Sequence, residues 1–341
     1  MDCTVWTTKN CNLNCKYCYE HDNKENGNMS SYIEDKTLNK IKNSILNSNE
    51  DIHLIQFHGG EPLLNFKLIQ KFVEEIEKIK GNSTIKYGLT TNGTIWNTEI
   101  DEFFKHHKKS FSGYISISID GELQTHNKNR TTSKGVGSFD VAIETAKRMK
   151  LIFDDLRCRV TVAPNTVENL FMNIKYLVEF GFKQISIAFD SFSDKWNENH
   201  IDIIDREYKK ILDYWNKSNH QTQISIVDDI IQKKRTLGKC KPRKHYYIDG
   251  LIYPCTFVVG LKEYNIGNID DGVDENRIKE IEKISSTDNR ECKKCNIKKS
   301  CISNRCKLIN KVITGDYYTP PVISCVLERI QIENKINLEL L

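Results

Sequence analysis

The sequence predicts an α/β protein: a partial (β/α)6 barrel, an open relative of the eight-fold TIM barrel, with a small cysteine-rich domain after it. Three observations carry this. Short β-branched or aromatic runs alternate with longer helical patterns about every thirty residues as far as roughly Asp190, the rhythm of parallel strands joined by crossover helices. A three-cysteine loop stands directly after the first of these runs. The composition then changes after about Lys217, and seven cysteines follow between Cys240 and Cys325.

In chain order, strands are expected at Cys3–Thr8, Ile52–His58, Ile85–Thr91, Tyr114–Ile119, Arg157–Val162 and Gln184–Phe189. Helices are expected at Glu34–Asn47, Phe66–Lys80, Asn97–His106, Ser138–Lys150, Val167–Phe180 and Asp205–Lys217. The second helix shows why: Leu68, Ile69, Phe72, Val73, Ile76 and Ile79 recur every three or four residues, while Lys71, Glu74, Glu75, Glu77 and Lys78 take the other face. One stripe packs on the sheet. In such folds ligands gather at the carboxyl ends of the strands, so the loops after strands one to four carry the candidate site. The expected domains are a barrel over 1–217, a bridging segment over 218–239 and a cysteine-rich domain with its tail over 240–341. That last part reads as loop-rich and built around metal, with little to form a core of its own.

The chain has 341 residues, 38% of them hydrophobic, enough for one large barrel and a smaller attached domain. With 50 basic and 46 acidic residues the net charge is +4, near balance, which gives no sign of a nucleic-acid groove. Lys293, Lys294, Lys298 and Lys299 read as a solvated face between cysteines. No run of about eighteen apolar residues exists for a membrane span, and the cysteine loop begins too early for a signal peptide, so the expected location is cytoplasmic. Twelve cysteines without a secretion signal point to metal ligation rather than disulfides.

Cys11, Cys15 and Cys18 stand in CNLNCKYCYE, a C-x3-C-x2-C spacing. Three soft thiolates on one short loop suit three irons of a cubane cluster and leave the fourth iron bare. Zinc is the alternative, with His21 as the nearest fourth ligand. After strand two comes His58-Gly59-Gly60-Glu61-Pro62, where glycines permit close backbone approach and a carboxylate can accept from an ammonium group. After strand three stands Thr90-Thr91-Asn92-Gly93, and strand four ends in Ser116-Ile117-Ser118-Ile119-Asp120-Gly121. Hydroxyls and a carboxylate at strand ends suit a ribose, and Arg130, which closes HNKNR, has a fork that pairs with a carboxylate. For Asn92 and Asp120 an ordinary turn before glycine is the competing reading. Cys3 and Cys158 read as small buried hydrophobes.

The cysteine spacing, with Tyr17 before the third cysteine, resembles the radical S-adenosylmethionine (radical SAM) enzymes, whose bare iron is chelated by the amino and carboxylate groups of SAM. The resemblance implies that Gly60 and Glu61 bind the SAM amino group and that Ser118 and Arg130 touch SAM. Tyr17, Asn92 and Asp120 complete the implied cofactor-binding set. Cys240, Cys255, then Cys292-x2-Cys295-x5-Cys301-x4-Cys306 and finally Cys325 resemble the SPASM extension of radical SAM peptide-modifying enzymes, with the last two spacings one residue longer than usual. That extension holds two auxiliary 4Fe-4S clusters. By its pattern Cys292, Cys295, Cys301 and Cys325 close one cluster, while Cys240, Cys255 and Cys306 serve the other. No cysteine stands between Cys240 and Cys255 as a fourth ligand, so that cluster is expected to keep an iron open to a substrate thiolate. A zinc ribbon at Cys292-x2-Cys295 is the competing reading.

The implied chemistry needs three [4Fe-4S] clusters, SAM, and a low-potential electron donor such as flavodoxin or ferredoxin. Reductive cleavage of SAM gives a 5′-deoxyadenosyl radical, which abstracts hydrogen from an unactivated carbon of a ribosomally made precursor peptide or of a protein. The product expected is a thioether crosslink from a cysteine. Its rival is formylglycine formation as in anaerobic sulfatase maturases, which carry an acidic residue directly after the second tail cysteine and an extra cysteine shortly after the first. Here Cys255 is followed by Thr256, and that extra cysteine does not occur. A carbon–carbon crosslink is a further alternative, and a non-catalytic iron–sulfur or zinc protein is the alternative from another class. The ten residues before Cys11 leave no room for the leader-binding domain of many relatives, so leader recognition is expected from a separate protein or the barrel surface.

Overall fold

The computed structural model describes residues 1–20, 27–218, 222–231, 242–298, 301 and 306–339. Cys240, His21 and Lys299 lie outside the described residues. In chain order the elements are β1 (Asp2–Thr8), α1 (Ser31–Leu46), β2 (Ile52–Gly59), α2 (Phe66–Glu77), β3 (Thr84–Thr91), α3 (Thr98–His106), α4 (Lys108–Phe111) and β4 (Ile115–Ser118). Next come α5 (Leu123–Asn129), α6 (Phe139–Ile152), β5 (Arg157–Val162), α7 (Leu170–Glu179), β6 (Gln184–Phe189) and α8 (Asn199–Lys217). The rest carries β7 (Gln223–Ile224), α9 (Ser225–Ile231), β8 (Lys244–Tyr246), β9 (Leu251–Tyr253), β10 (Gly267–Asn268), β11 (Gly272–Val273), α10 (Glu275–Ser286), α11 (Lys307–Thr314) and α12 (Val322–Glu339).

The α/β class with a largely parallel sheet is as the sequence predicts. Each of the six expected strands is present, with ends within one residue of those expected. The helices differ more. The sixth starts at Asn199 rather than Asp205, and the fifth opens with a 3-10 turn at Val167–Asn169. α5 was not expected: it buries Thr125, His126 and Asn129, polar residues that leave no apolar period to read. The tail is not loop-rich either. Its described residues carry four short strands and three α-helices, and Tyr246, Tyr247, Ile252, Tyr253, Val258, Ile266 and Ile269 are all buried there.

Two compact units divide the chain. The first comprises Met1–Ser118, Arg130–Leu156 and Pro242–Lys279, the second Ile119–Asn129, Arg157–Lys241 and Glu280–Leu341. In the first unit the strands lie side by side as β11-β10-β9-β8-β1-β2-β3-β4. β1 pairs in parallel with both β2 and β8, and β2 with β3, while β8 to β11 zigzag antiparallel. Part of the cysteine-rich segment is thus built onto the edge of the β1 sheet. Val5, Ile55, Phe57, Tyr87 and Leu89 share one face of the sheet and are buried, as is the α2 stripe of Leu68, Ile69, Phe72, Val73 and Ile76, with the Phe57 and Phe72 rings 6.3 Å apart. Full burial of such a side chain contributes roughly 1.5–3 kcal/mol.

In the second unit β5, β6 and β7 run parallel. α7 packs on α8, and α12 packs on α8 and α9. Asn334 of α12 donates to Asp205 of α8 at 3.0 Å. The described cysteines are free thiols. Cys3 and Cys158 are fully buried, and the Cys158 thiol donates to the Ile119 carbonyl at 3.4 Å. Among the described residues no helix is long and apolar enough to cross a membrane.

Candidate functional site

The loop carrying Cys11, Cys15 and Cys18 leaves the carboxyl end of β1, and the turn after β2 is laid against it. Gly60 N–H donates to the Thr8 carbonyl at 3.1 Å and Glu61 N–H to the Asn10 carbonyl at 2.9 Å. A Cβ on Gly60 would stand 2.6 Å from both the Lys9 and Asn10 carbonyl oxygens, closer than real contacts allow, and Gly59 has φ +149°. The close approach that the two glycines permit is therefore made to the chain's own backbone, at the start of the cysteine loop.

Glu61 is 1% exposed, yet its carboxylate is well supplied with donors. Oε1 accepts from Leu63 N–H at 3.1 Å and from the Thr91 hydroxyl at 2.9 Å, and Oε2 accepts from Asn92 N–H at 2.7 Å. An ionised carboxylate offers about four acceptor sites, so one stays open for a further donor. Burial pushes the Glu61 carboxyl up to about 7, against the pull of these three donors.

Asn92 links this carboxylate to the cysteines. Its side-chain amide donates to Asn12 Oδ1 at 3.0 Å and points at Cys11 Sγ at 3.9 Å, and its Oδ1 accepts from Thr94 N–H and the Thr94 hydroxyl. Asn12 in turn donates to Thr94 at 2.7 Å. The turn reading of Asn92 and the site reading thus describe one residue doing both, while Gly93 takes φ +76° beside it. On the other flank Asn14 N–H donates to the Thr131 carbonyl at 2.6 Å, and the Arg130 guanidinium lies 5.3 Å over the Tyr17 ring. Ser118 ends β4 with 8% exposure and Arg130 is 7% exposed.

Cys11 is exposed as a residue, but burial around its sulfur pushes the thiol up to about 12, with Glu61, Cys15 and Cys18 adding to the rise. Burial lifts Cys18 to about 11, opposed by the Glu20 N–H and by Arg130. Cys11 and Cys18, raised in this way beside Cys15, bind as thiolates only when a cation compensates them, which suits a metal centre. Among the described residues no three His, Cys, Asp or Glu side chains close on a single metal ion. A cubane cluster, which spreads its ligands over separate irons, suits three thiolates spaced in this way better than one zinc ion does.

Asp120 lies in the second unit, 1% exposed, with Oδ1 accepting from Thr161 N–H at 2.9 Å. In that unit Cys292 sits in a 3-10 turn, Cys295 caps it, and Cys325 lies on α12. Burial raises the Cys325 thiol to about 11, and the next causes are the thiols of Cys292, Cys301 and Cys295. These four sulfurs therefore share one neighbourhood, a donor set that fits an iron–sulfur cluster. Cys306 is the N-cap of α11 in the second unit, and Cys255 precedes the 3-10 turn Thr256–Val258 in the first. The sequence does not single out Asn12, Thr94, Asn289 or Lys307; the first two carry the only signal, Asn12 inside CNLNCKYCYE and Thr94 directly after Thr90-Thr91-Asn92-Gly93.

A family model described as a 4Fe-4S single cluster domain matches residues 1–143. A cysteine-type anaerobic sulfatase-maturating enzyme of Clostridium perfringens is 29% identical over 314 residues, which span 84% of this chain and 83% of that protein. An uncharacterised protein of Methanocaldococcus jannaschii is 32% identical over 288 residues, 80% of this chain and 88% of its own length. Among solved structures, native anSMEcpe with bound AdoMet and a peptide has a TM-score of 0.80 at 24% identity, covering 99% of this chain and 98% of that one.

Proposed function

Because the chain belongs to the radical SAM family, we propose that it is an enzyme that cleaves SAM reductively and modifies a residue of a peptide or protein. The observation that carries this is the arrangement in the first unit, where one cysteine loop lies between Glu61 with Asn92 on one side and Arg130, over the loop's own Tyr17, on the other. Cys11, Cys15 and Cys18 are the ligands of a [4Fe-4S] cluster. When bound, the cluster and SAM supply a carbon-centred radical able to take hydrogen from an unactivated carbon. Glu61 offers its remaining acceptor site to the SAM ammonium, with Gly60 fixing the turn that presents it. Arg130, steadied over Tyr17, pairs with the methionine carboxylate. Ser118, Asn92 and Asp120 are assigned to the nucleoside side.

The same proposal extends to the tail. Cys292, Cys295, Cys301 and Cys325 hold one auxiliary [4Fe-4S] cluster, and Cys240, Cys255 and Cys306 a second, for three in all. Residues 1–217 form the barrel and 240–341 the auxiliary domain, joined by 218–239. A donor of the flavodoxin or ferredoxin kind provides electrons, and a separate protein presents a leader where the substrate has one.

The product proposed is a thioether from a substrate cysteine, supported by Thr256 after Cys255 where a carboxylate base would serve formylglycine formation. The similarity to a cysteine-type sulfatase maturase favours formylglycine as the second reading. Mass spectrometry of the matured substrate separates them. Loss of two hydrogens with one cysteine no longer alkylatable supports the thioether. Replacement of the cysteine sulfur by a carbonyl oxygen supports formylglycine, and the two-hydrogen loss with every cysteine alkylatable contradicts both.

A further inference from the structure

Lys307 is the first residue of α11 and is 1% exposed. Both facts run against its charge. An ammonium at a helix N-terminus faces the positive end of the macrodipole, and taking it out of water is unfavourable unless anions surround it. Burial pulls it toward its neutral form, and Cys292, Asp288, Cys306 and Asp316 around it work against that. The two carboxylates have other duties, Asp288 at 2.7 Å from Lys298 and Asp316 accepting from the Thr319 hydroxyl at 2.8 Å. The Lys307 ammonium also lies 5.7 Å from the centre of the Tyr318 ring.

A second contact extends this charge to a sulfur. Lys307 donates to Asn289 Oδ1, and Asn289, fully buried, directs Nδ2 at Cys292 Sγ at 3.6 Å. Lysine can only donate, so Asn289 must turn its oxygen toward Lys307 and its N–H toward the sulfur. The order ammonium, carboxamide, thiolate is thus fixed by chemistry. An iron–sulfur cluster is stabilised in its reduced, more negative form by a nearby buried cation and by N–H donors to its sulfurs.

We propose that Lys307, acting through Asn289, is a positioning residue that raises the reduction potential of the cluster ligated by Cys292, Cys295, Cys301 and Cys325. This rests on the reading of those four cysteines as cluster ligands. No bond is made or broken: the cluster takes up one electron, and the buried charge favours the reduced side.

The test uses the full chain, reconstituted anaerobically with iron and sulfide, and follows each cluster by electron paramagnetic resonance during a redox titration. The signal absent from Cys325→Ala identifies the cluster. Lys307→Met is expected to lower its reduced-to-oxidised ratio at a fixed potential by about tenfold, a shift of about 59 mV to more negative potential. Lys307→Arg, which keeps the charge, stays near wild type. An unmoved potential in Lys307→Met at full iron content overturns the proposal. If that variant loses the cluster, Lys307→Gln is read in its place, and loss from both neutral variants also overturns it, since the residue then serves assembly. A wild-type protein with no Cys325-dependent signal overturns the ligand reading as well, whereas a cluster of unmoved potential overturns the proposal alone.

Discussion

The carboxylate of Glu61 accepts the backbone N–H of Asn92 at 2.7 Å, and the side chain of the same Asn92 reaches Cys11 at 3.9 Å. One residue thus connects the acid of the β2 turn to the first cysteine of the loop. Substitutions on either side of this link should be felt on the other.

Glu61→Gln keeps the shape but sets an amide N–H against one of the N–H or O–H donors that now converge on the carboxylate. SAM affinity should weaken by more than about tenfold, in line with roughly 1.5–3 kcal/mol for a charge-assisted hydrogen bond. Equilibrium binding of SAM to the reconstituted protein checks this, and unchanged affinity would make the turn structural only.

Burial holds the Glu61 carboxyl at about 7, above the ordinary 4.5. The protonated form stabilises the fold fully below pH 4.5, and this contribution disappears as pH rises through about 7. An ammonium ligand needs the ionised form, so SAM affinity should fall as pH drops below about 7, with a proton released on binding. Calorimetry in buffers of different ionisation heat should detect that proton in the wild type and miss it in Glu61→Gln.

Gly60→Ala would place a Cβ 2.6 Å from two backbone carbonyl oxygens that lead into the cysteine loop. Backbone cannot swing aside as a side chain can, so the loop should shift, at a cost of about 1–3 kcal/mol. A lowered melting temperature together with loss of about four irons is the expected outcome.

Asn92→Ala would take the side-chain partner from Asn12 and Thr94 and remove the N–H aimed at Cys11, while the backbone N–H to Glu61 stays. We expect about 1–3 kcal/mol of lost stability by denaturant unfolding, since buried partners are left unmatched. A variant as stable as wild type would show that the turn alone holds these groups.

The six strand–helix units are legible in the sequence because their periods are long and clean, as in α2, where apolar residues recur on one stripe. The strand ends could be placed because Gly59, Gly93 and Gly121 stop them. α5 and the tail strands are not legible for the opposite reason. α5 is polar even where buried, and β8 to β11 are two or three residues each, too short to show any period. The site motifs stand out by residue type and spacing. Lys307 does not, because a lysine beside a cysteine reads as solvated, and only three-dimensional packing reveals that it is buried against Asn289.

The most direct measurement is 5′-deoxyadenosine released from SAM by the anaerobically reconstituted protein under dithionite, compared with a variant carrying Ala at Cys11, Cys15 and Cys18. The account predicts release by the wild type, none by the variant, and a variant poorer by about four irons with its tail clusters retained. Equal release by both proteins, or an unchanged iron content in the variant, would contradict it.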